Sequence, residues 1–155
     1  KDGNFLNNGK DHLGEQVIDQ TKIVDRSLDE NMANFHFQVF SLNHHSSKTI
    51  AALSSGEFRP PVGYEPTDYD GVLAMTKASL DTMQVQTPEA INALAGNPIT
   101  FKLGNNELPF TAENFVLSFS LPNFYFHATT AYDILRQQGV PIGKMDFLGS
   151  MKMGI

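Results

Sequence analysis

Inward-facing positions between residues 31 and 54 recur at alternating steps of three and four: Met32, Phe35, Val39, Leu42, Ser46, Thr49 and Leu53. This is the stripe of a long helix in a bundle. Two stripe positions, Ser46 and Thr49, are small and polar, which predicts a cavity or a close helix contact at that level. Thr67, three residues before Asp70, makes an approximate capping box, and Val72, Leu73, Thr76, Leu80 and Met83 carry a second long helix over about 68 to 86. Thr87 and Pro88 open a short helix that Gly96 stops. A third long helix starts at the Thr111 cap, runs over about 112 to 138 and closes at Gly139. Within it, Pro122 removes the bond its amide would make to the Ser118 carbonyl and predicts a kink. Beyond the kink Phe124, His127, Ala128, Ala131 and Leu135 face inward, with Tyr125 and Tyr132 on neighbouring faces.

Elsewhere the helical period fails. Gly56, Pro60, Pro61, Gly63 and Pro66 predict a long loop between Ser54 and Asp68. Ile99, Phe101 and Leu103 alternate with polar partners, Gly104-Asn105-Asn106 turns the chain, and Leu108 and Phe110 return, so about 99 to 110 reads as a hairpin. Pro109 marks it as an edge feature, a surface flap and not a core sheet. The opening, Lys1 to Leu13, is rich in Asn, Gly and Asp and reads as a loop or a frayed end. A short helix capped by Asp19 follows, with Ile23, Val24 and Leu28 as its apolar face. The expected architecture is one all-α domain over residues 1–155, with 1–18 poorly structured or a remnant of a first helix.

Composition narrows the possible partners. With 155 residues, 41% hydrophobic and 18% charged, the chain has the profile of one globular domain that folds without disulfide or metal. It has no cysteine, which excludes a disulfide framework, a thiolate nucleophile and an iron–sulfur site, and points to a reducing, cytoplasmic setting. The net charge of −6 argues against nucleic acid, and no apolar run approaches the ~18 residues needed to span a membrane. The chain begins at Lys1 rather than Met, so a preceding segment is expected.

Candidate chemistry falls to five histidines, the carboxylates and four tyrosines. His12 is expected in solvent and His36 on a partly exposed flank. His44 and His45 are adjacent on a helix and point about 100° apart, so one alone faces inward: His45, with His44 towards solvent or a neighbouring helix. His127 follows the proline kink, where loosened packing leaves room for a ligand or a water. His45 and His127 are thus the expected proton-transfer groups, with Tyr125 or Tyr132 donating to a developing oxyanion. Gln38, Leu42, Thr49, Asn123, Phe124 and Ala131 would line the pocket of a small hydrophobic molecule. The reading is a cofactor-independent isomerase, cyclase or lyase. Its alternative is a non-catalytic small-molecule-binding or stress-response module in which the histidines satisfy one another in the core. No metal is expected, because the residue four after His127 is Ala131 and two histidines are short of a ligand set.

The stretch Leu121 to Arg136, with Gly139-Val140-Pro141-Ile142-Gly143-Lys144 and Asp146-Phe147-Leu148-Gly149 after it, resembles the C-terminal signature of the domain of unknown function DUF1993. Arg26-Ser27-Leu28, Phe37-Gln38-Val39, His45 and Leu108-Pro109-Phe110-Thr111 extend that resemblance over about residues 19 to 149. The family is similar to the DinB and YfiT group, which implies a DinB-like four-helix bundle, here with a small β-hairpin and a truncated first helix. Better-known members of that group hold a metal with three histidines, one on the second helix and an H-x-x-x-H pair on the fourth. His45 matches the first of these and His127 the second, while Ala131 replaces the third; His44 stands where the family shows an acidic residue. A metal-dependent DinB-like enzyme is therefore a further alternative. A bundle lacking its first helix would leave an apolar groove open, which favours a homodimer.

Overall fold

The computed structural model describes residues 5–15, 20–151 and 153–154, and helices dominate it. The opening is not a loop. Helix α1 spans Phe5–Glu15 and α2 spans Gln20–Ile23, and Leu6, Ile23 and Val24 all enter the core. The sequence reading missed α1 because its apolar face is short and Asn7, Asn8 and Gly9, all poor helix formers, interrupt it. A Cβ at Gly9 would stand 2.6 Å from the Tyr69 hydroxyl, which donates to the Leu6 carbonyl at 2.9 Å. With Leu6 buried in one core with Val39, Tyr69 and Leu135, the apolar groove expected from a missing first helix is covered, and the argument for a dimer built on it lapses. Asp19 and the side chain of His12 lie outside the described residues.

One helical rod follows: α3 (Phe35–Asn43), a π-helical segment (His44–Lys48) and α4 (Thr49–Ser55). It starts at Phe35 rather than near residue 31, because the Asn34 side chain caps the Phe37 amide. The predicted stripe is buried from Phe35 through Leu53, whereas Met32 lies ahead of the helix. Gly56 closes the rod with φ of +76°. Helix α5 spans Tyr69–Gln84, capped by Asp68 and not by Thr67: its carboxylate accepts from the Gly71 amide at 2.9 Å. Asp68→Ala should lower stability by about 1 kcal/mol in urea unfolding, a loss that Asp68→Asn should largely avoid. Helix α6 (Pro88–Asn92) carries the expected Thr87 cap.

Strands β2 (Pro98–Leu103) and β3 (Asn106–Thr111) pair antiparallel, with Pro109 on the outer strand opposite Thr100. The hairpin is more than a surface flap. Ile99 and Phe101 are buried against Ala52, Leu53, Phe58 and Phe115, and a third strand, β1 (Glu57–Phe58), pairs parallel to β2 inside the segment expected to be loop. Two residues are too few to show a period of two.

The last rod comprises α7 (Ala112–Phe115), a second π-helical segment (Val116–Ser120) and α8 (Leu121–Gln137); α9 (Lys144–Leu148) follows. The proline distortion sits one turn earlier than a simple kink. The Leu121 amide bonds to the Val116 carbonyl five residues back, so the ladder has already widened when Pro122 arrives without an amide hydrogen. No helix among the described residues is long and apolar enough to cross a membrane.

The two apolar cores lie at opposite ends of the first rod, one around Phe35 and Val39, the other around Ala52 and Leu53. Between them the rod carries buried polar residues, including Ser41, Asn43, His45, Ser46 and Thr49.

Candidate functional site

A π-helical segment leaves carbonyls short of their usual amide partners, and such segments persist where other donors take over. Here the donors are hydroxyls. The Asn43 carbonyl accepts from Ser46 Oγ at 2.9 Å and Ser47 Oγ at 3.0 Å. The His45 carbonyl lies 2.8 Å from Ser120 Oγ and 3.1 Å from Thr49 Oγ1, and these two hydroxyls are 2.5 Å apart. Two protons serve three contacts, so at any moment one hydroxyl donates to the carbonyl and the other donates to that hydroxyl, and the pair supports the carbonyl together. The two π segments thus face each other across a shared hydroxyl pair, which is the close contact the small stripe residues predicted. Thr49 acts as a backbone support, not as a pocket wall.

This widening positions His45 and His127. Their rings stand 5.9 Å apart, 15° from parallel. His45 is 8% exposed and lies against Phe58 and Phe119, and its Nδ1 is buried with no partner among the described residues. Burial first, then the charges of His44 and His127, push it down to about 4. Half-buried His127 is also lowered by burial, and its edge contacts are Phe37 and Phe126.

The tautomer of His127 follows from its neighbour. The Gln38 amide nitrogen donates to the Ala33 carbonyl at 2.9 Å, which fixes Gln38 Oε1 as the atom 2.8 Å from His127 Nδ1. Nδ1 therefore carries the hydrogen and Nε2 keeps its lone pair. Gln38 thus fixes the orientation of the His127 ring.

The remaining expected site residues scatter. Leu42 is buried, and Ala131 is wholly buried in the first core, so neither is a free pocket wall. Asn123 turns back to donate to the Phe119 carbonyl, and half-buried Phe124 packs on Tyr125. Tyr125 is 56% exposed, and Tyr132 packs between Phe5 and Phe147. Neither tyrosine faces His127: they stand two residues before and five after it, offsets that fall on other sides of a 3.6-residue helix. His36 is buried against Tyr64 rather than flanking, and His44 is half-buried, donating from Nε2 to the Arg59 carbonyl at 2.7 Å. Phe58, Phe119 and Ser120 were not legible as site residues. The run of His and small hydroxyls from His44 to Thr49, and Pro122 two residues after Ser120, were their only signals.

The three-histidine metal set of the DinB group does not fit these residues. Ala131 stands at the third position, and among the described residues no cluster of three His, Asp or Glu side chains gathers around one point. Elemental analysis of purified, untagged protein should find well under one equivalent of zinc, nickel, iron or manganese. Stoichiometric metal that survives chelation and is lost in His127→Ala would contradict this.

The family model for the domain of unknown function DUF1993 matches residues 3–148. A crystal structure of a DinB family member from Shewanella denitrificans superposes with a TM-score of 0.76 at 23% identity, covering 97% of this chain and 84% of that one. At that identity the likeness speaks for the fold alone. No match is found among curated proteins.

Proposed function

The chain belongs to the DUF1993 family, and from its site we propose a cofactor-independent enzyme that moves a proton within a small hydrophobic molecule. We read α1, the two π-interrupted rods and α5 as a DinB-like four-helix bundle whose centre holds the reaction. The observation that carries the proposal is His127: Nδ1 anchored on Gln38, Nε2 left as a base, in aromatic surroundings. The substrate's C–H or O–H gives its proton to Nε2. The resulting imidazolium is stabilised through Nδ1–H by the Gln38 carbonyl and returns the same proton to a neighbouring atom, which completes an isomerisation with no net change in the enzyme. His45, neutral at pH 7, offers its unpartnered Nδ1 to the bound molecule. An orphaned buried nitrogen costs about 1–3 kcal/mol, a cost that a ligand hydrogen bond would relieve.

Deuterium uptake into small aromatic ketones in heavy water tests this reading. The wild type should catalyse exchange, and His127→Ala should lose about a hundredfold or more of the rate. Equal exchange by both proteins, or none by either, would overturn the catalytic reading. A ligand that shifts both imidazole resonances without any exchange would favour the non-catalytic binding module instead.

A further inference from the structure

On the other side of the first rod from His127, a cleft of about 640 Å³ opens between the π segment and α4, the residues after β1, and α5. Its volume falls within the range of small-molecule sites, about 300–1,000 Å³. Its apolar lining includes Phe40, Phe58 and Met75. The charged groups around it are unbalanced. Lys48 lines the cleft and has no acidic partner among the described residues, and it adds to the burial that holds the neighbouring His44 below its ordinary value. Arg59 also lines it, held by one nitrogen, Nε, 2.6 Å from Glu57 Oε1. Lys102 takes the other Glu57 carboxylate oxygen at 2.6 Å, with Glu107 3.8 Å from the same ammonium. Lys48, Arg59 and Lys102 thus stand against Glu57 and Glu107, one cation in excess in a chain whose net charge is −6, and the unpaired one, Lys48, lines the cleft. His44, with its Nε2–H spent on the Arg59 carbonyl, remains a neutral wall.

We propose that this cleft binds a small amphipathic carboxylate, its apolar body against Phe40, Phe58 and Met75 and its charge on Lys48 and Arg59. The site is separate from the His45–His127 pair: Phe58 lies between them, touching His44 at 4.7 Å and His45 at 5.5 Å between ring centres. A ligand here presses on the ring that packs against His45. The proposal stands or falls independently of the proton-transfer reading.

Calorimetry with phenylbutyrate, phenylbutanol and phenylbutylamine, which share one skeleton, separates charge from apolar burial. Phenylbutyrate should bind about tenfold or more tightly than the alcohol, the discrimination of one charge-assisted hydrogen bond, and the amine weakest of all. Lys48→Met, at an exposed position, should fold normally and bring the acid down towards the alcohol. His127→Ala should leave phenylbutyrate affinity unchanged, and amide shifts in the wild type should centre on Ser47, Lys48 and Ala51. Equal affinity of acid and alcohol, no binding of any probe, an unaltered preference in Lys48→Met, or shifts centred on His127 would each overturn the proposal.

Discussion

Phe58→Ala is expected to cost about 3–5 kcal/mol of stability, the largest loss from any single truncation near the site. Phe58 is 3% exposed, and its ring meets both adjacent histidines and the second core. Its ring centre lies 4.9 Å from that of Phe115 and 5.9 Å from that of Phe101. Removing it empties the junction between β1, the π segment and α7, so the loss should exceed that of a peripheral ring. Urea unfolding checks the magnitude. The His45 imidazole should also lose much of its downward shift, since water would reach it through the cavity. A Phe58→Ala protein within 1 kcal/mol of wild type would mean that β1 is not part of the core.

Acid should destabilise the protein well before its carboxylates titrate. In the unfolded chain His45 takes up a proton near its ordinary value of 6.5, whereas in the fold it does so only near 4. Between those values the unfolded state binds more protons, so stability is complete above about pH 6.5 and falls as pH drops through the window towards 4. The loss from His45 alone is about 3 kcal/mol. His36, His44 and His127 are lowered too, chiefly by burial, and steepen the same decline. Chemical unfolding at several pH values should give a visibly shallower slope for His45→Gln than for wild type. Matching slopes would show that His45 protonates as easily in the fold as in the unfolded chain.

The long helices were legible because a buried stripe and a good cap are local signals. The stripe from Phe35 to Leu53 kept its meaning through five residues of π-helix, and Ser46 and Thr49 announced the tight contact with Ser79 and Ser120. Features set by distant contacts were not legible. Helix α1 depends on Gly9 meeting Tyr69, and β1 exists because Glu57 and Phe58 find Thr100 and Phe101 across the chain. At the site, the sequence reading picked out His45, His127 and Gln38, which the fold brings together. It gave Tyr125 and Tyr132 to the same pocket, but helix geometry turns them elsewhere. It also set His44 aside, although the π segment lays that ring along a cleft while burying His45. The 100° offset between neighbours did foresee which ring turns inward; it could not foresee the Arg59 carbonyl that His44 meets across the chain.

The central claim is that His127 is a neutral base, with its hydrogen on Nδ1 and its lone pair on Nε2, because Gln38 holds it so. Two-bond proton–nitrogen correlation of the imidazoles reads that tautomer directly, and following the same signals with pH gives the protonation midpoint. The structure predicts a His127 ring protonated at Nδ1, with a midpoint below 6.5, and a tautomer preference that weakens or inverts in Gln38→Leu. A ring protonated at Nε2, a midpoint above 6.5, or a Gln38→Leu spectrum identical to wild type at this residue would contradict it.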